Sequence, residues 1–275
     1  ICGVNNYLIE PLINLLGSYG FNAAIVMGND YTPTYVESVW RHNMPIEVRY
    51  GGLGTGTPKT SCDPDHMVLS YCMNNPKTRE SESGESGCLG SLANVGAARL
   101  QYGDEYVFSG SGQDYCFCEF CMEKMRKWLQ SKYAGLDALN KNWGLQFKTW
   151  NEVRPLTLKE SRARGDRNFV SWADHRRFNE ITAADYFAMM AEAANKIKPG
   201  ARFGVSGNFG PGAYGGEDDW LLRNSWTQLE AYGGFDEFNC WQDDMNDMNI
   251  VKYGTFADSD FIRSSIWYHT FFGIN

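Results

Sequence analysis

The chain has 275 residues, of which 43% are hydrophobic and 15% aromatic, and this content can bury a substantial core in one large domain or two small ones. Its 25 basic and 33 acidic residues give a net charge of −8, which disfavours a nucleic-acid partner. No run of 18 apolar residues could span a bilayer, and the first residues lack the pattern of a signal peptide. Because the chain begins at Ile1 and its true termini can lie outside it, the sequence does not separate a cytoplasmic from a periplasmic or secreted protein.

Short apolar strands alternate with amphipathic helices, which predicts an α/β fold with a parallel sheet. Predicted helices cover residues 9–20, 34–43, 118–135, 179–200, 220–234 and 259–273, and predicted strands cover 21–28, 45–52, 97–105, 201–209, 235–241 and 249–256. This order fits a (β/α)₈ TIM-type barrel that lacks two strands. We therefore expect residues 1–275 to form a single catalytic barrel domain, truncated at one or both ends. An open doubly wound sheet is the alternative, but no dinucleotide-binding loop follows a predicted strand.

Three cysteines lie close together in "DYCFCEFCMEKM", at positions 116, 118 and 121. A disulfide framework is disfavoured, because eight cysteines are few for this length and these three are too close to bridge one another comfortably. A redox Cys-x-x-Cys normally opens a helix after the first strand of a small domain, whereas this one lies in mid-chain. A metal site with three of its ligands in this segment is the remaining interpretation.

Two carboxylates end the predicted strand 97–105, where the chemistry of a barrel enzyme is located. Neighbouring strand residues point to opposite faces, so either Asp104 or Glu105 should project into the barrel mouth. Aromatic neighbours such as Tyr102 would desolvate that carboxyl group and raise its pKa toward the range of a general acid. We assign this role to Glu105. The alternative is structural, with Asp104 capping the loop and Glu105 forming a salt bridge.

A second carboxylate could come from the residues that follow the predicted strand 235–241. Asp243 and Asp244 are candidates to face Glu105, and Trp241 is a candidate platform for stacking on a sugar. The four histidines are scattered and accompany no serine or cysteine nucleophile pattern, so triad chemistry is not supported.

Several spaced motifs in one order suggest a family. The segment 101–155, with "GDEY", "CFCEFC" and "LDALNKNWG", resembles the middle of the catalytic barrel of glycoside hydrolase family 42 β-galactosidases. The upstream "YCMNNPKTRE" and the segment 173–207 are similar to the flanking parts of that barrel. The resemblance covers roughly residues 70–210.

The resemblance implies a retaining glycosidase with a carbohydrate substrate, in which Glu105 is the acid/base. It also implies a structural zinc ion held by Cys72, Cys116, Cys118 and Cys121, with Cys62 and Cys88 as rivals for the fourth position. Relatives are often trimers, so the resemblance implies a homo-oligomer.

The sequence departs from the family pattern at two places. Asp104 stands where the family has an asparagine that contacts the substrate, so the choice of sugar is open. The predicted strand 249–256 carries no glutamate to act as nucleophile, and four aspartates are candidates to replace it: Asp243, Asp244, Asp258 and Asp260. We expect Trp241, Asp30 and Asn208 to contact the sugar.

Two other functions stay open at this point. A carbohydrate-binding barrel without turnover would use exposed aromatic residues to stack on sugars, namely Trp143, Trp220, Trp241 and Tyr214. A zinc-thiolate hydrolase would need a metal ion with an open coordination position.

Overall fold

The computed structural model describes residues 6–27, 32–50, 72–84, 89, 90, 92, 95–97, 99–104, 114–208, 218–223, 225, 228–231 and 249–252.

Helices and strands alternate along these residues. The helices are α1 (Asn6–Ser18), α2 (Pro33–Arg41), α3 (Pro76–Ser83), α4 (Glu119–Lys132), α5 (Leu136–Trp143), α6 (Leu158–Ala163), α7 (Val170–Ile197) and α8 (Asp219–Leu222). The strands are β1 (Ala24–Met27), β2 (Ile46–Tyr50), β3 (Arg99–Asp104), β4 (Arg202–Asn208), β5 (Gln228–Ala231) and β6 (Asn249–Lys252).

The six strands form one parallel sheet in which each strand pairs with the next along the chain. This confirms the predicted α/β fold with a parallel sheet. Five of the strands overlap predicted ones, and a sequential parallel order requires the right-handed crossovers of successive βα units.

The prediction was wrong for the segment 220–234, which the sequence pattern assigned to one helix. The helix α8 ends at Leu222, and residues Gln228–Ala231 form β5 instead. Backbone pairing of β5 with β4 on one side and β6 on the other outweighs the local helical pattern of this short segment. The predicted strand 235–241 and the predicted helix 259–273 lie outside the described residues.

The described side chains of β1–β4 divide between an apolar and a polar face. The apolar face is buried under the helices and carries Val26, Ile46, Val48, Leu100, Phe203 and Val205. On the opposite face, Glu47 is in register with Arg99, which is in register with Arg202. One layer further along, Arg49 donates a hydrogen bond of 2.9 Å to Gln101. Because side chains alternate along a strand, this division holds for β2, β3 and β4, whereas β1 places Ile25, which is 45% exposed, on the polar face.

The long helix α7 covers the apolar face next to β3 and β4. Phe187, Met190 and Ala194 of this helix are buried, and the helix begins nine residues earlier than the predicted 179. Phe187 contacts Tyr102 of β3 and Phe203 of β4, with ring centroids 6.3 and 6.2 Å apart. The helices α4, α5 and α6 lie in the connection between β3 and α7.

Candidate functional site

Four cysteine side chains converge beside the start of α4. The sulfur atoms of Cys72, Cys116, Cys118 and Cys121 all lie within 4.8 Å of one another, and three of the four residues are buried, with Cys118 partly exposed. Cys72 Sγ is 3.3 Å from Cys118 Sγ and 3.5 Å from Cys121 Sγ. The grouping of Cys72 with the "CFCEFC" cysteines is confirmed, and the rivals Cys62 and Cys88 lie outside the described residues.

The local backbone explains why these four residues meet. Cys118 is the N-cap residue of α4, and Cys121 lies in the first turn of that helix, so both sulfur atoms lie at its N-terminal end. Cys116 has a φ of +38°, in the left-handed region that is uncommon for residues other than glycine. Cys72 comes from a different segment, the turn that leads into α3.

The close packing of four thiols shifts their pKa values in opposite directions. The pKa of Cys118 is lowered, because Cys116 first, and then Cys121 and Cys72, hydrogen bond to its thiolate. The pKa of Cys116 is raised, with its hydrogen bond to Cys118 as the largest cause. Four thiolates at these distances repel one another, so a bound cation is what would allow all four to ionise together.

The four sulfur atoms fit a tetrahedral ion. A zinc–sulfur distance of about 2.3 Å in tetrahedral geometry places the sulfur atoms roughly 3.8 Å apart. The spread of up to 4.8 Å between the ligand atoms is compatible with that value. A site with four protein ligands is closed to water.

Buried polar side chains surround the cluster. Asn74 donates to Cys121 Sγ over 3.4 Å and to Thr182 Oγ1 of α7 over 3.3 Å. The backbone N–H of Met73 donates to the hydroxyl of Tyr115 over 3.2 Å, which joins the Cys72 segment to the Cys116 segment. Asn74 is not among the predicted site residues, although its place two residues after Cys72 in "YCMNNP" is a signal that could have identified it.

Two of the predicted site residues lie at the carboxyl end of the sheet. Asp104 ends β3 and is in register with Ser206 of β4, while Asn208 ends β4. These two positions therefore lie at the edge where the loops of successive βα units meet. The other predicted site residues lie outside the described part of the chain, namely Glu105, Asp243, Asp244, Asp258, Asp260, Trp241 and Asp30.

Two aromatic residues have roles other than the predicted ones. Trp143 is fully buried, with its indole N–H donating to Asp174 over 2.8 Å, so the interpretation as a sugar-stacking residue was wrong. Tyr102 faces the helix layer, where its hydroxyl donates to Glu82 over 3.0 Å. Burial raises the pKa of Glu82, and this hydrogen bond partly offsets the effect. Trp220, by contrast, is 57% exposed.

No helix among the described residues is long and apolar enough to cross a membrane.

A known protein family matches part of the chain. Residues 95–220 match the glycoside hydrolase family 42 model, whose description is beta-galactosidase. A beta-galactosidase of Geobacillus kaustophilus is 42% identical over 153 residues, which cover 54% of this chain and 21% of that protein. A beta-galactosidase of Planococcus sp. (strain L4) is 35% identical over 92 residues, which cover 31% of this chain and 14% of that protein. The chain thus spans only a small part of the relatives that it matches.

Solved structures share the fold at low sequence identity. The beta-galactosidase from the psychrophilic Marinomonas ef1 superposes with a TM-score of 0.63 at 13% identity, covering 83% of this chain and 39% of that one. The family 42 exo-carrageenase from Bacteroides ovatus gives a TM-score of 0.63 at 14% identity, covering 92% of this chain and 43% of that one.

Proposed function

We propose that the protein is a glycosidase that hydrolyses O-glycosidic bonds of β-galactosides or related sugars, because residues 95–220 match the glycoside hydrolase family 42 model. The family match carries this proposal, since it includes both the strand end at Asp104 and the cysteine-rich segment after it. The same match favours a hydrolase over a carbohydrate-binding barrel without turnover.

We propose that residues 1–275 belong to a single (β/α)₈ barrel domain. The sequential parallel order of six strands supports this arrangement. The two faces of the sheet support it as well, because helices cover the apolar face, and the polar face with Glu47, Arg99 and Arg202 would line the barrel interior.

In the proposed mechanism, Glu105 protonates the oxygen of the leaving group. In a retaining enzyme it then takes a proton from the water molecule that releases the sugar from the second carboxylate. A second carboxylate attacks the anomeric carbon if the enzyme retains configuration, which requires a separation of about 5–5.5 Å between the two carboxyl groups. A separation of about 6.5–9.5 Å would mean inversion through an activated water. Asp243 and Asp244 are the first candidates for this second group, with Asp258 and Asp260 as alternatives, and Asp104 would orient the substrate beside Glu105.

The sugar itself would be held by three further residues. Trp241 would stack on the sugar face, while Asp30 and Asn208 would hydrogen bond to its hydroxyl groups. Asn208 ends β4 at the same sheet edge as Asp104, and this supports its role. Assembly as a trimer stays a prediction.

The four cysteines would hold a structural zinc ion. When bound, zinc would supply rigidity and no catalysis, because four thiolates leave no open position for water. Cys72 would thereby be joined to the segment after β3. A hydrolase that uses a zinc-bound water is disfavoured, because such an enzyme needs an open coordination position on the metal.

Activity on a panel of aryl β-glycosides tests the proposal. Replacing Glu105 by glutamine should lower kcat/KM by about 10²- to 10⁴-fold for substrates with a poor leaving group, which need protonation. The loss should be much smaller for a dinitrophenyl leaving group. The matched control is Glu123→Gln, because Glu123 is an exposed residue of α4 that pairs with Lys127. Equal rates for Glu105→Gln and Glu123→Gln would refute Glu105 as the acid/base.

A further inference from the structure

The carboxylate of Asp114 lies two residues before the cysteine cluster and is fully buried. One oxygen accepts the backbone N–H of Leu158 over 2.8 Å, and the other accepts the indole N–H of Trp172 over 2.8 Å. The guanidinium of Arg176 is 3.6 Å from the same carboxylate. A single side chain of the cysteine-rich segment is therefore bound to the start of α6 and to the first turns of α7.

These contacts hold the backbone next to an unusual conformation. Cys116 has a φ of +38°, and such a conformation persists only where its surroundings impose it. On one side of Cys116, Asp114 is bound to α6 and α7, and on the other side Cys118 is the N-cap residue of α4. Tyr115 lies between Asp114 and Cys116, and its hydroxyl accepts a hydrogen bond from the backbone N–H of Met73.

We propose that Asp114 is a positioning residue for the four-cysteine cluster, which holds Cys116 and Cys118 in their ligating arrangement before any metal binds. A ligand set that is already arranged loses less conformational entropy on binding, so metal affinity depends on Asp114 although this residue binds α6 and α7 and is not one of the four ligands. The inference rests on the metal site of the proposed function.

A second buried carboxylate provides a matched comparison. Asp174 of α7 is buried, accepts the indole N–H of Trp143 over 2.8 Å and accepts the hydroxyl of Tyr133 over 2.6 Å. Lys132 is its basic partner. Asp174 thus resembles Asp114 in burial and partners but lies outside the cysteine-rich segment. A general loss of stability should follow from either substitution, whereas a loss of metal affinity should follow only from the one at Asp114.

The experiment measures zinc affinity of the folded protein by competition with a chromogenic chelator. Asp114→Asn should weaken zinc binding by about 10-fold or more, as is typical when outer groups of a metal site are removed. Asp174→Asn should change the zinc Kd by less than about twofold while lowering Tm. If Asp114→Asn does not fold, the milder pair Trp172→Phe and Trp143→Phe replaces it, since each removes one hydrogen bond to the corresponding carboxylate. Equal zinc Kd values in the two members of a pair would overturn the proposal.

A second readout needs no metal. In the metal-free protein, Asp114→Asn should speed alkylation of Cys116 and Cys118 several-fold more than Asp174→Asn does, because only the former releases the cysteine-rich segment. Equal alkylation rates would overturn the proposal. If the unaltered protein binds no zinc, the metal site of the proposed function fails, and the alkylation rates still decide whether Asp114 positions the cysteines.

Discussion

The amide group of Asn74 bridges Cys121 and Thr182, with distances of 3.4 Å to the sulfur and 3.3 Å to the hydroxyl oxygen. Only 4% of Asn74 is exposed. An N–H donor stabilises the thiolate form of Cys121, which is the form that binds a metal. The same bridge fixes the Cys72 segment to α7.

We expect Asn74→Ala to speed the loss of zinc to an excess of chelator by about 10-fold. The matched control is Asn140→Ala, because Asn140 bonds both backbone groups of Phe147, at 2.9 Å each, far along the chain from the cysteines. Zinc release followed by absorbance gives the rates. The prediction fails if the two variants release zinc equally fast.

Removing one ligand should abolish stoichiometric zinc binding. Cys72→Ser leaves three thiolates, and a structural site of this type requires four ligands. We expect elemental analysis to find close to one zinc per chain in the unaltered protein and a small fraction of that in Cys72→Ser. The rival ligands provide the controls, since Cys62→Ser and Cys88→Ser should retain zinc. Loss of zinc from either control instead of Cys72→Ser would assign the fourth position differently.

The fold and the candidate site differ in how far the sequence could predict them. The strands β1 to β4 could be predicted because each is an apolar run bounded by turn residues, and the cysteine site could be predicted from its spacing and the family resemblance. The strand β5 could not, because its pairing with β4 and β6 is a tertiary effect on a segment with a helical pattern. The anchoring role of Asp114 also depends on contacts with residues more than 40 positions away.

The burial of Trp143 leads to a prediction that separates structural from sugar-binding aromatic residues. Trp143→Phe removes the hydrogen bond to Asp174 and leaves a small cavity, so we expect a loss of about 1–3 kcal/mol in the free energy of unfolding. Sugar affinity should not change. Urea denaturation and affinity electrophoresis on immobilised galactosides measure the two quantities. A weaker affinity for sugar with unchanged stability would restore the earlier interpretation of this residue.

Stability at acid pH should depend on His175. Burial, followed by the charge of Arg176, lowers the pKa of this histidine to about 3 from an ordinary value of 6.5. The unfolded chain takes up the proton near pH 6.5 and the folded chain only near pH 3, so the unfolded state binds more protons between these values. Stability contributed by the neutral ring is therefore complete above pH 6.5 and is lost as the pH falls toward 3.

Comparison of the unaltered protein with His175→Met, both in metal-free form, tests this effect, because methionine does not titrate. A pKa unit corresponds to about 1.4 kcal/mol, so the unaltered protein should lose up to about 5 kcal/mol more than the variant over this range. Denaturant titrations at a series of pH values measure the difference. Parallel curves for the two proteins would show that His175 does not titrate in this way.

The connection between β3 and α7 occupies residues 105–169, whereas a strand and its return helix are commonly joined by about 2–6 residues. Closing the long connection as one piece would cost about 2–3 kcal/mol more in chain entropy than closing such a short loop. Two buried carboxylates divide this connection into shorter loops. The side chain of Asp114 is bound to α6 and α7, and the side chain of Asp174 is bound to the C-terminal ends of α4 and α5. The chain therefore closes several short loops in succession, and the parallel sheet can carry an insertion the size of a small domain at a modest entropic cost.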